Sequence, residues 1–124
     1  MIIGNKNVNE NPCIISFEIG ATYSSFEEAK EMIKASANAG ADAVKFQTHI
    51  ADEESLPGAP SPEYFKNEPR MEYFRRTGFT IDEWRSLKDL AENYNLLFLS
   101  SPFSLKAVDL LESINMEMYK IPSG

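Results

Sequence analysis

Short apolar runs alternate with longer segments of helical periodicity along this chain. The apolar runs occupy residues 13–19, 43–47, 96–99 and 116–121, and each predicts a β-strand. The first run, partly β-branched and closed by Gly20, is typical of a strand that is buried on both faces. The order of elements is therefore β-α-β-(long loop)-α-β-α-β. Such alternation predicts right-handed crossovers and a parallel sheet.

Polar residues mark the start of each predicted helix. Two capping-box patterns and one single cap precede the helical stripes, and Gly40 stands where the first helix should end. The caps are Ser25 with Glu28, Thr80 with Glu83, and Ser104. The apolar positions expected to face the core are Phe26, Ala29, Met32, Ile33 and Ala37, then Ile81, Trp84, Leu87, Ala91 and Tyr94, then Ala107, Val108, Leu111 and Ile114.

A long segment, residues 48–79, interrupts this rhythm. It contains four prolines, with the aromatic residues Tyr64, Phe65, Tyr73 and Phe74 between and after them. Insertions of this length in a compact fold are uncommon and often serve as lids or binding loops. A short helix that packs its aromatic side chains is an equally good interpretation.

Composition and charge narrow the class of protein. The chain has 124 residues, 43% of them hydrophobic, which suits one compact domain with its own core. Its net charge of −7 argues against a nucleic-acid partner. One cysteine excludes an internal disulfide framework and favours the cytoplasm, and no apolar run has the ~18–20 residues that cross a bilayer.

The predicted element content matches half of a (β/α)8 barrel. Four parallel strands with three helices leave one sheet face partly bare, and a whole barrel takes ~250 residues. We therefore expect an α/β fold, the N-terminal portion of a TIM barrel with parallel strands, truncated after the fourth strand. A complete small α/β sandwich is the competing interpretation.

Polar side chains stand at the carboxyl ends of all four predicted strands. They are Glu18, then Lys45 and Gln47, then Ser100 and Ser101, then Lys120 with Ser123 just beyond. Ligands of parallel α/β folds bind at these ends, and lysines with hydroxyl groups suit a phosphate or a carboxylate. A structural Glu18–Lys45 ion pair is an alternative for those two residues. We expect His49 to be a solvated loop residue and Cys13 a small buried hydrophobe.

Four segments at these positions resemble the sialic acid synthase family, which includes the N-acetylneuraminate synthases. They are Glu18-Ile19-Gly20, Gly40-Ala41-Asp42-Ala43-Val44-Lys45-Phe46-Gln47-Thr48, Leu99-Ser100-Ser101-Pro102-Phe103 and Lys120-Ile121-Pro122-Ser123-Gly124. They are similar to the family's EIG, GADAVKFQT, ST-PF and KI-SG segments, in the same order. The resemblance implies that residues 1–124 are the N-terminal half of a synthase barrel domain, with residues 48–79 as a long insertion and with the rest of the barrel and a C-terminal domain absent.

The resemblance also implies an activity and a set of site residues. The family condenses phosphoenolpyruvate with an N-acetylated amino sugar, such as N-acetylmannosamine, to give a sialic or other nonulosonic acid and phosphate. The implied catalytic residues are Glu18, Lys45 and Lys120, and the implied substrate-binding residues are Gln47, Ser101, Phe103 and Ser123. A divalent metal, Mn or Mg, would be bound by histidines outside this chain, so no metal ligand is expected here. The full-length enzyme would be a cytoplasmic homodimer without a nucleic-acid or membrane partner, and the fragment alone would be inactive.

Departures from the family pattern leave other functions open. Thr22 and Tyr23 stand where the family usually has Asn-His, so the identity of the acceptor sugar is not fixed, and Ser104 replaces a common aspartate. The alternatives are another barrel enzyme that handles phosphoenolpyruvate or phosphate, of the 3-deoxy-sugar acid synthase or Schiff-base aldolase type, and a non-catalytic half-barrel that binds an anion or assembles with a partner.

Overall fold

The computed structural model of the chain describes residues 1–10, 13–58, 60 and 68–123. It contains two very short strands, β1 (Ile2–Ile3) and β2 (Lys6–Asn7), and three longer ones, β3 (Ser16–Gly20), β4 (Ala43–Thr48) and β5 (Leu97–Pro102). The helices are α1 (Phe26–Asn38), α2 (Ala51–Glu54), α3 (Arg70–Arg76), α4 (Ile81–Asn93) and α5 (Leu105–Ser113). Strands and helices alternate from β3 onward, as the sequence pattern predicts.

The central sheet is parallel, with the strand order β3-β4-β5. Glu18 of β3 is paired with Lys45 of β4, and Lys45 is paired with Leu99 of β5. The register then shifts between Glu18 and Gly20, where Gly20 has a φ of +62°. Because glycine adopts this left-handed conformation without steric cost, β3 can end sharply at the edge where the candidate residues lie.

The hydrophobic core lies between the sheet and helices α1, α4 and α5. Phe46 is fully buried at its centre, with its ring centroid 5.7 Å from that of Trp84 and 5.3 Å from that of Phe98. Alternation along β4 sends Val44 and Phe46 into this core and leaves Lys45 and Gln47 on the other face. The sheet therefore has one apolar face toward the helices and one face with polar residues.

The predicted helix caps are present. The Ser25 hydroxyl accepts from the backbone N–H of Glu28, and the Ser104 hydroxyl accepts from that of Ala107. Thr80 and Glu83 form a complete reciprocal capping box. In a reciprocal capping box the Glu28 carboxylate would accept from the backbone N–H of the cap residue, Ser25. Here it accepts instead from the Ser24 backbone N–H, at 2.6 Å.

Two strand predictions are wrong in detail. Strand β3 starts at Ser16 and not at residue 13, and its first three residues are exposed because it is the edge strand of the three-stranded sheet. Cys13 is accordingly exposed and not a buried hydrophobe. Residues 116–121 do not form a full strand. They make one parallel bridge between Ser100 and Tyr119, and Pro122 has no N–H to extend the ladder.

Two predicted core positions of α4 also lie at the surface. Ile81 is 40% exposed and Tyr94 is 42% exposed, whereas Trp84, Leu87 and Ala91 are buried. Ile81 and Tyr94 come at the first position of α4 and just past its last, where the helix is no longer covered by its neighbours.

The described parts of residues 48–79 pack on one another and on the residue that follows β3. Helices α2 and α3 contact one another, and the Asp52 carboxylate accepts a hydrogen bond of 2.7 Å from Arg75. The Tyr73 hydroxyl donates to the Ala21 carbonyl at 2.5 Å. These contacts match the interpretation in which a short helix packs its aromatic residues. Tyr64 and Phe65, on which the lid interpretation also depends, lie outside the described residues.

An N-terminal hairpin, not anticipated from the sequence, lies at the amino ends of the parallel strands. Strands β1 and β2 pair in antiparallel fashion. Asn5 donates to the Asn95 side chain at 2.6 Å, and Lys6 forms an ion pair with Asp42 at 3.7 Å. The hairpin therefore covers the end of the sheet opposite to the candidate site.

Candidate active site

Glu18 and Lys45 form an ion pair across neighbouring strands. Their register in the sheet places the two side chains directly opposite one another. The Lys45 side chain is 17% exposed, whereas that of Glu18 is 50% exposed. The structural pairing that the sequence left open is therefore present, and it places one ammonium and one carboxylate on the polar face of the sheet.

Gln47 and Ser101 continue this polar face toward the carboxyl end. The two residues are paired in register across β4 and β5, so their side chains lie on the same face as Lys45. The Ser101 hydroxyl is buried and has no hydrogen-bond partner within the described part of the chain. Because a buried hydroxyl without a partner costs free energy, this atom has unused capacity for a ligand oxygen.

Glu18, Lys45, Gln47 and Ser101 form a polar cluster on this face. Ser100 does not belong to the cluster, contrary to the prediction that grouped both serines together. It is paired with Phe46 and points to the helix-facing side. Its hydroxyl lies 2.7 Å from that of Thr48, and both residues are buried. Successive residues of a strand point to opposite faces, so only one of two consecutive serines can reach the polar side.

Lys120 and Ser123 approach the site from the segment that follows α5. The Lys120 backbone N–H donates to the Ser100 carbonyl at 3.1 Å. Since Tyr119 is bridged to Ser100, alternation places Lys120 beside Ser101 on the polar face. Lys120 and Ser123 are both exposed. The structure thus brings Lys120 to the edge of the cluster and leaves Ser123 beyond it.

His49 is buried and not solvated, so that prediction is wrong. Its ring is stacked between Phe74 and Phe103, with centroid distances of 4.0 and 4.1 Å. Nδ1 lies 2.8 Å from Oε1 of Glu54, and Nε2 lies 3.3 Å from Oε1 of Gln47. Phe103 therefore contacts the cluster through His49.

Glu54 and Phe74 are site residues that the sequence analysis missed. The spacing of five residues between His49 and Glu54, across the start of a one-turn helix, is the signal that could have linked those two. Nothing in the sequence indicates that Phe74, which is 25 residues further along, would cover the same ring.

Tyr23, which stands at the place of a family histidine, is a core residue. It is 1% exposed, its ring stacks on that of Phe79 with a centroid distance of 4.7 Å, and its hydroxyl donates to the Thr77 carbonyl. Burial raises the pKa of this phenol, with a smaller contribution from Tyr73, so it stays protonated and neutral. Thr22 is exposed and donates to the Ile19 carbonyl at 2.9 Å.

The described residues do not by themselves form a divalent-metal site. Among residues 1–10, 13–58, 60 and 68–123 there is no group of three or more His, Cys, Asp or Glu side chains that could hold one. Glu18 is engaged by Lys45, and Glu54 by His49.

Residues 32–124 match the model of the NeuB family, which is three quarters of the chain. The chain belongs to the NeuB family. Curated NeuB-family relatives include the N,N'-diacetyllegionaminic acid synthase of Legionella pneumophila, 32% identical, and the pseudaminic acid synthase of Campylobacter jejuni, 33% identical. The alignments cover 90% and 99% of this chain, respectively.

A solved structure agrees with this assignment. The N-acetylneuraminic acid synthetase of Leptospira borgpetersenii, crystallised in complex with citrate, matches with a TM-score of 0.72 and 25% identity over 98% of this NeuB-family chain. The predicted fold, an N-terminal portion of a TIM barrel with parallel strands, is confirmed. The chain spans 40% of that protein and about a third of the curated relatives. Among its described residues, no helix is long and apolar enough to cross a bilayer.

Proposed function

We propose that this chain forms the phosphoenolpyruvate side of an active site that makes a nonulosonic acid. The other substrate would be an N-acetylated amino sugar, N-acetylmannosamine or a relative. The observation that carries the proposal is the buried Ser101 hydroxyl, which has no partner among the described residues. It lies beside Gln47 and Lys45, on one face and at the carboxyl ends of adjacent strands. Membership of a family whose curated relatives are synthases of such acids supports it.

The chemistry of these groups suits a small, strongly anionic substrate. Phosphoenolpyruvate carries a phosphate and a carboxylate, and lysine ammonium groups with hydroxyl and amide donors form charge-assisted hydrogen bonds to both. Lys45 and Lys120 would supply the charge, and Ser101 and Gln47 the directional donors, with Ser123 at the rim. Since the chain as a whole has a net charge of −7, attraction must come from this local arrangement.

The reaction balances without an oxidant or reductant. Carbon three of phosphoenolpyruvate forms a bond to the aldehyde carbon of the open-chain sugar, whose oxygen takes up a proton. Water adds to carbon two and loses one proton, which balances the proton taken up by the sugar oxygen. The bond between carbon two and the phosphate oxygen then breaks, its electron pair leaves with the phosphate, and the second proton of the water passes to the phosphate as carbon two becomes a carbonyl. A 2-keto acid and phosphate result. Glu18, half exposed beside Lys45, is the carboxylate that would orient the water or the sugar.

The Glu18–Lys45 pair disfavours the Schiff-base alternative. An amine that forms a Schiff base must be free to attack a carbonyl carbon, whereas the Lys45 amine is held in an ion pair by Glu18. Reduction with borohydride in the presence of substrate tests this: the condensation mechanism predicts no covalent label on Lys45 or Lys120.

Turnover by the protein as its own gene encodes it tests the proposed function. We expect phosphate release from phosphoenolpyruvate that depends on an N-acetylated amino sugar and stops after chelation of divalent metal. Lys45→Met should abolish the release, whereas Lys34→Met, which changes the same charge on the exposed side of α1, should not. Phosphate release that does not depend on the sugar, or a Lys45→Met variant with wild-type turnover, would overturn the proposal.

The metal and the assembly are further parts of the proposal. A Mn or Mg ion would be held by residues outside this chain, and the protein would act as a homodimer. Metal content after purification and sedimentation of the same protein would test the two points separately.

A further inference from the structure

Both ring nitrogens of His49 face oxygen acceptors. Nδ1 lies 2.8 and 3.0 Å from the two carboxylate oxygens of Glu54, and Nε2 lies 3.3 Å from the amide oxygen of Gln47. An ionised carboxylate and an amide oxygen can only accept hydrogen bonds. A histidine that satisfies both at once must therefore donate from both nitrogens.

The surroundings hold this ring in one orientation. Phe74 and Phe103 cover its two faces at interplanar angles of 15° and 23°, and the side chains of His49 and Glu54 are each only 5% exposed. Glu54 is the charged group in contact with the ring. The Arg70 guanidinium lies behind one covering residue, 5.3 Å from the Phe74 centroid.

We propose that His49 is a positioning residue for Gln47, acting as an imidazolium that donates Nδ1–H to Glu54 and Nε2–H to the Gln47 oxygen. The oxygen and nitrogen of an amide lie on opposite sides of its carbon, so anchoring the oxygen turns the NH₂ group away from His49. That NH₂ group donates to no acceptor within the described chain. It is then available on the face that Gln47 shares with Lys45 and Ser101.

Stability alone gives little reason for this buried pair. Apolar side chains of similar volume often replace a buried ion pair at no cost to stability. Here, however, His49 also contacts Gln47, a residue of the candidate site. The His49–Glu54 pair thereby joins α2 to the carboxyl end of β4. The inference rests on the proposed function for its substrate, phosphoenolpyruvate, to whose anionic oxygens the oriented NH₂ would donate.

The protonation state of His49 can be measured without any substrate. His49 is the only histidine in the 124-residue sequence, so its imidazole gives a single, assigned set of ¹⁵N signals. From the two acceptors we expect a proton on each ring nitrogen in the folded chain. An unprotonated Nε2 would overturn the proposal, because Gln47 would then donate its NH₂ to the ring and turn its oxygen toward the cluster.

Kinetics of the protein as its own gene encodes it separate positioning from a purely structural role. His49→Phe combined with Glu54→Leu keeps three stacked rings and removes both members of the buried pair together, so neither is left as an unpaired buried charge. We expect this double variant to fold and to raise the KM for phosphoenolpyruvate about tenfold, with an unchanged KM for the sugar. Glu53→Gln, which removes a carboxylate from the neighbouring residue that pairs with Lys106, is the control and should leave both constants unchanged.

The outcomes distinguish this inference from the proposed function. An unchanged KM for phosphoenolpyruvate in the folded double variant would overturn the positioning role. If the wild-type protein neither binds nor consumes phosphoenolpyruvate, the proposed function is overturned, and the ¹⁵N spectrum by itself then decides whether His49 orients Gln47.

Discussion

The hydroxyl groups of Ser100 and Ser101 are adjacent in sequence but serve opposite sides of the sheet. The first is hydrogen-bonded to Thr48 beneath the helices, and the second lies among the polar residues without a partner in the part of the chain that the structure describes. Strand alternation alone causes this difference. The two serines therefore form a matched pair in which a structural hydroxyl and a candidate binding hydroxyl can be removed separately.

Alanine at position 100 should lower the stability of the protein, whereas alanine at position 101 should lower its affinity for phosphoenolpyruvate. Ser100→Ala leaves the buried Thr48 hydroxyl without its partner and should lower the free energy of unfolding by about 1–3 kcal/mol. Ser101→Ala removes a hydroxyl that is already unpaired, so stability should stay the same or rise by about 1 kcal/mol, while phosphoenolpyruvate affinity falls. Urea unfolding and calorimetric titration measure the two quantities. A stability loss in Ser101→Ala equal to that in Ser100→Ala would contradict the assignment.

Substitutions of Glu18 and of Lys45 should affect different steps, turnover for Glu18 and phosphoenolpyruvate binding for Lys45. Lys45→Met removes a charge-assisted donor and should weaken phosphoenolpyruvate binding about 10- to 100-fold. Glu18→Gln should leave that binding intact or tighten it, because a competing acceptor is lost, and should lower turnover. Since the Glu18 side chain is half exposed, its loss should cost less than about 1 kcal/mol of stability. Weaker phosphoenolpyruvate binding in Glu18→Gln would argue that the carboxylate instead holds Lys45 in place.

The capping box of α4 gives a test of stability away from the site. Thr80→Ala removes the hydroxyl that accepts from the Glu83 backbone N–H and should lower the free energy of unfolding by about 1 kcal/mol. Ser86→Ala, at an exposed interior position of the same helix, is the control and should be neutral or slightly stabilising. Comparable losses in both variants would show that the cap is not the cause.

Tyr119 reports on the contact between residues 116–121 and α5. Its hydroxyl donates to Oε1 of Glu112 at 2.5 Å, and burial together with this hydrogen bond raises its pKa to about 12. A raised folded-state pKa means that the stabilisation is complete below the ordinary tyrosine value of about 10 and is lost as the pH rises toward 12.

The tyrosinate absorbance of this residue should therefore appear later than that of an ordinary tyrosine in an alkaline titration. Glu112→Gln should bring the Tyr119 pKa back toward about 10, while Glu117→Gln, an exposed neighbour, should not move it. An unshifted Tyr119 in the wild-type chain would mean that this segment does not dock on α5.

Local signals account for what the sequence predicted well. The helix caps at Ser25, Thr80 and Ser104 depend on residues within one turn, and the alternation in β4 depends only on parity. The same parity rule, applied to β5, is enough to place Ser100 and Ser101 on opposite faces of the sheet.

Non-local contacts account for what the sequence did not predict. The burial of His49 depends on Glu54, Phe74 and Phe103, which come from three separate segments. The exposure of Cys13 and of the start of β3 depends on their position at the sheet edge, which no local pattern encodes. The single bridge at Tyr119 likewise depends on which backbone groups lie alongside it.

The described ends of residues 48–79 are attached independently of what lies between them. His49 with Glu54 anchors the first end, and the second is held by Phe74 on the His49 ring and by Tyr73 on the Ala21 carbonyl. The stretch between residues 55 and 68 is thus a position where the sequence can be replaced. Because both described ends are held by their own contacts, changes of length in this stretch should leave Lys45, Gln47 and Ser101 in place.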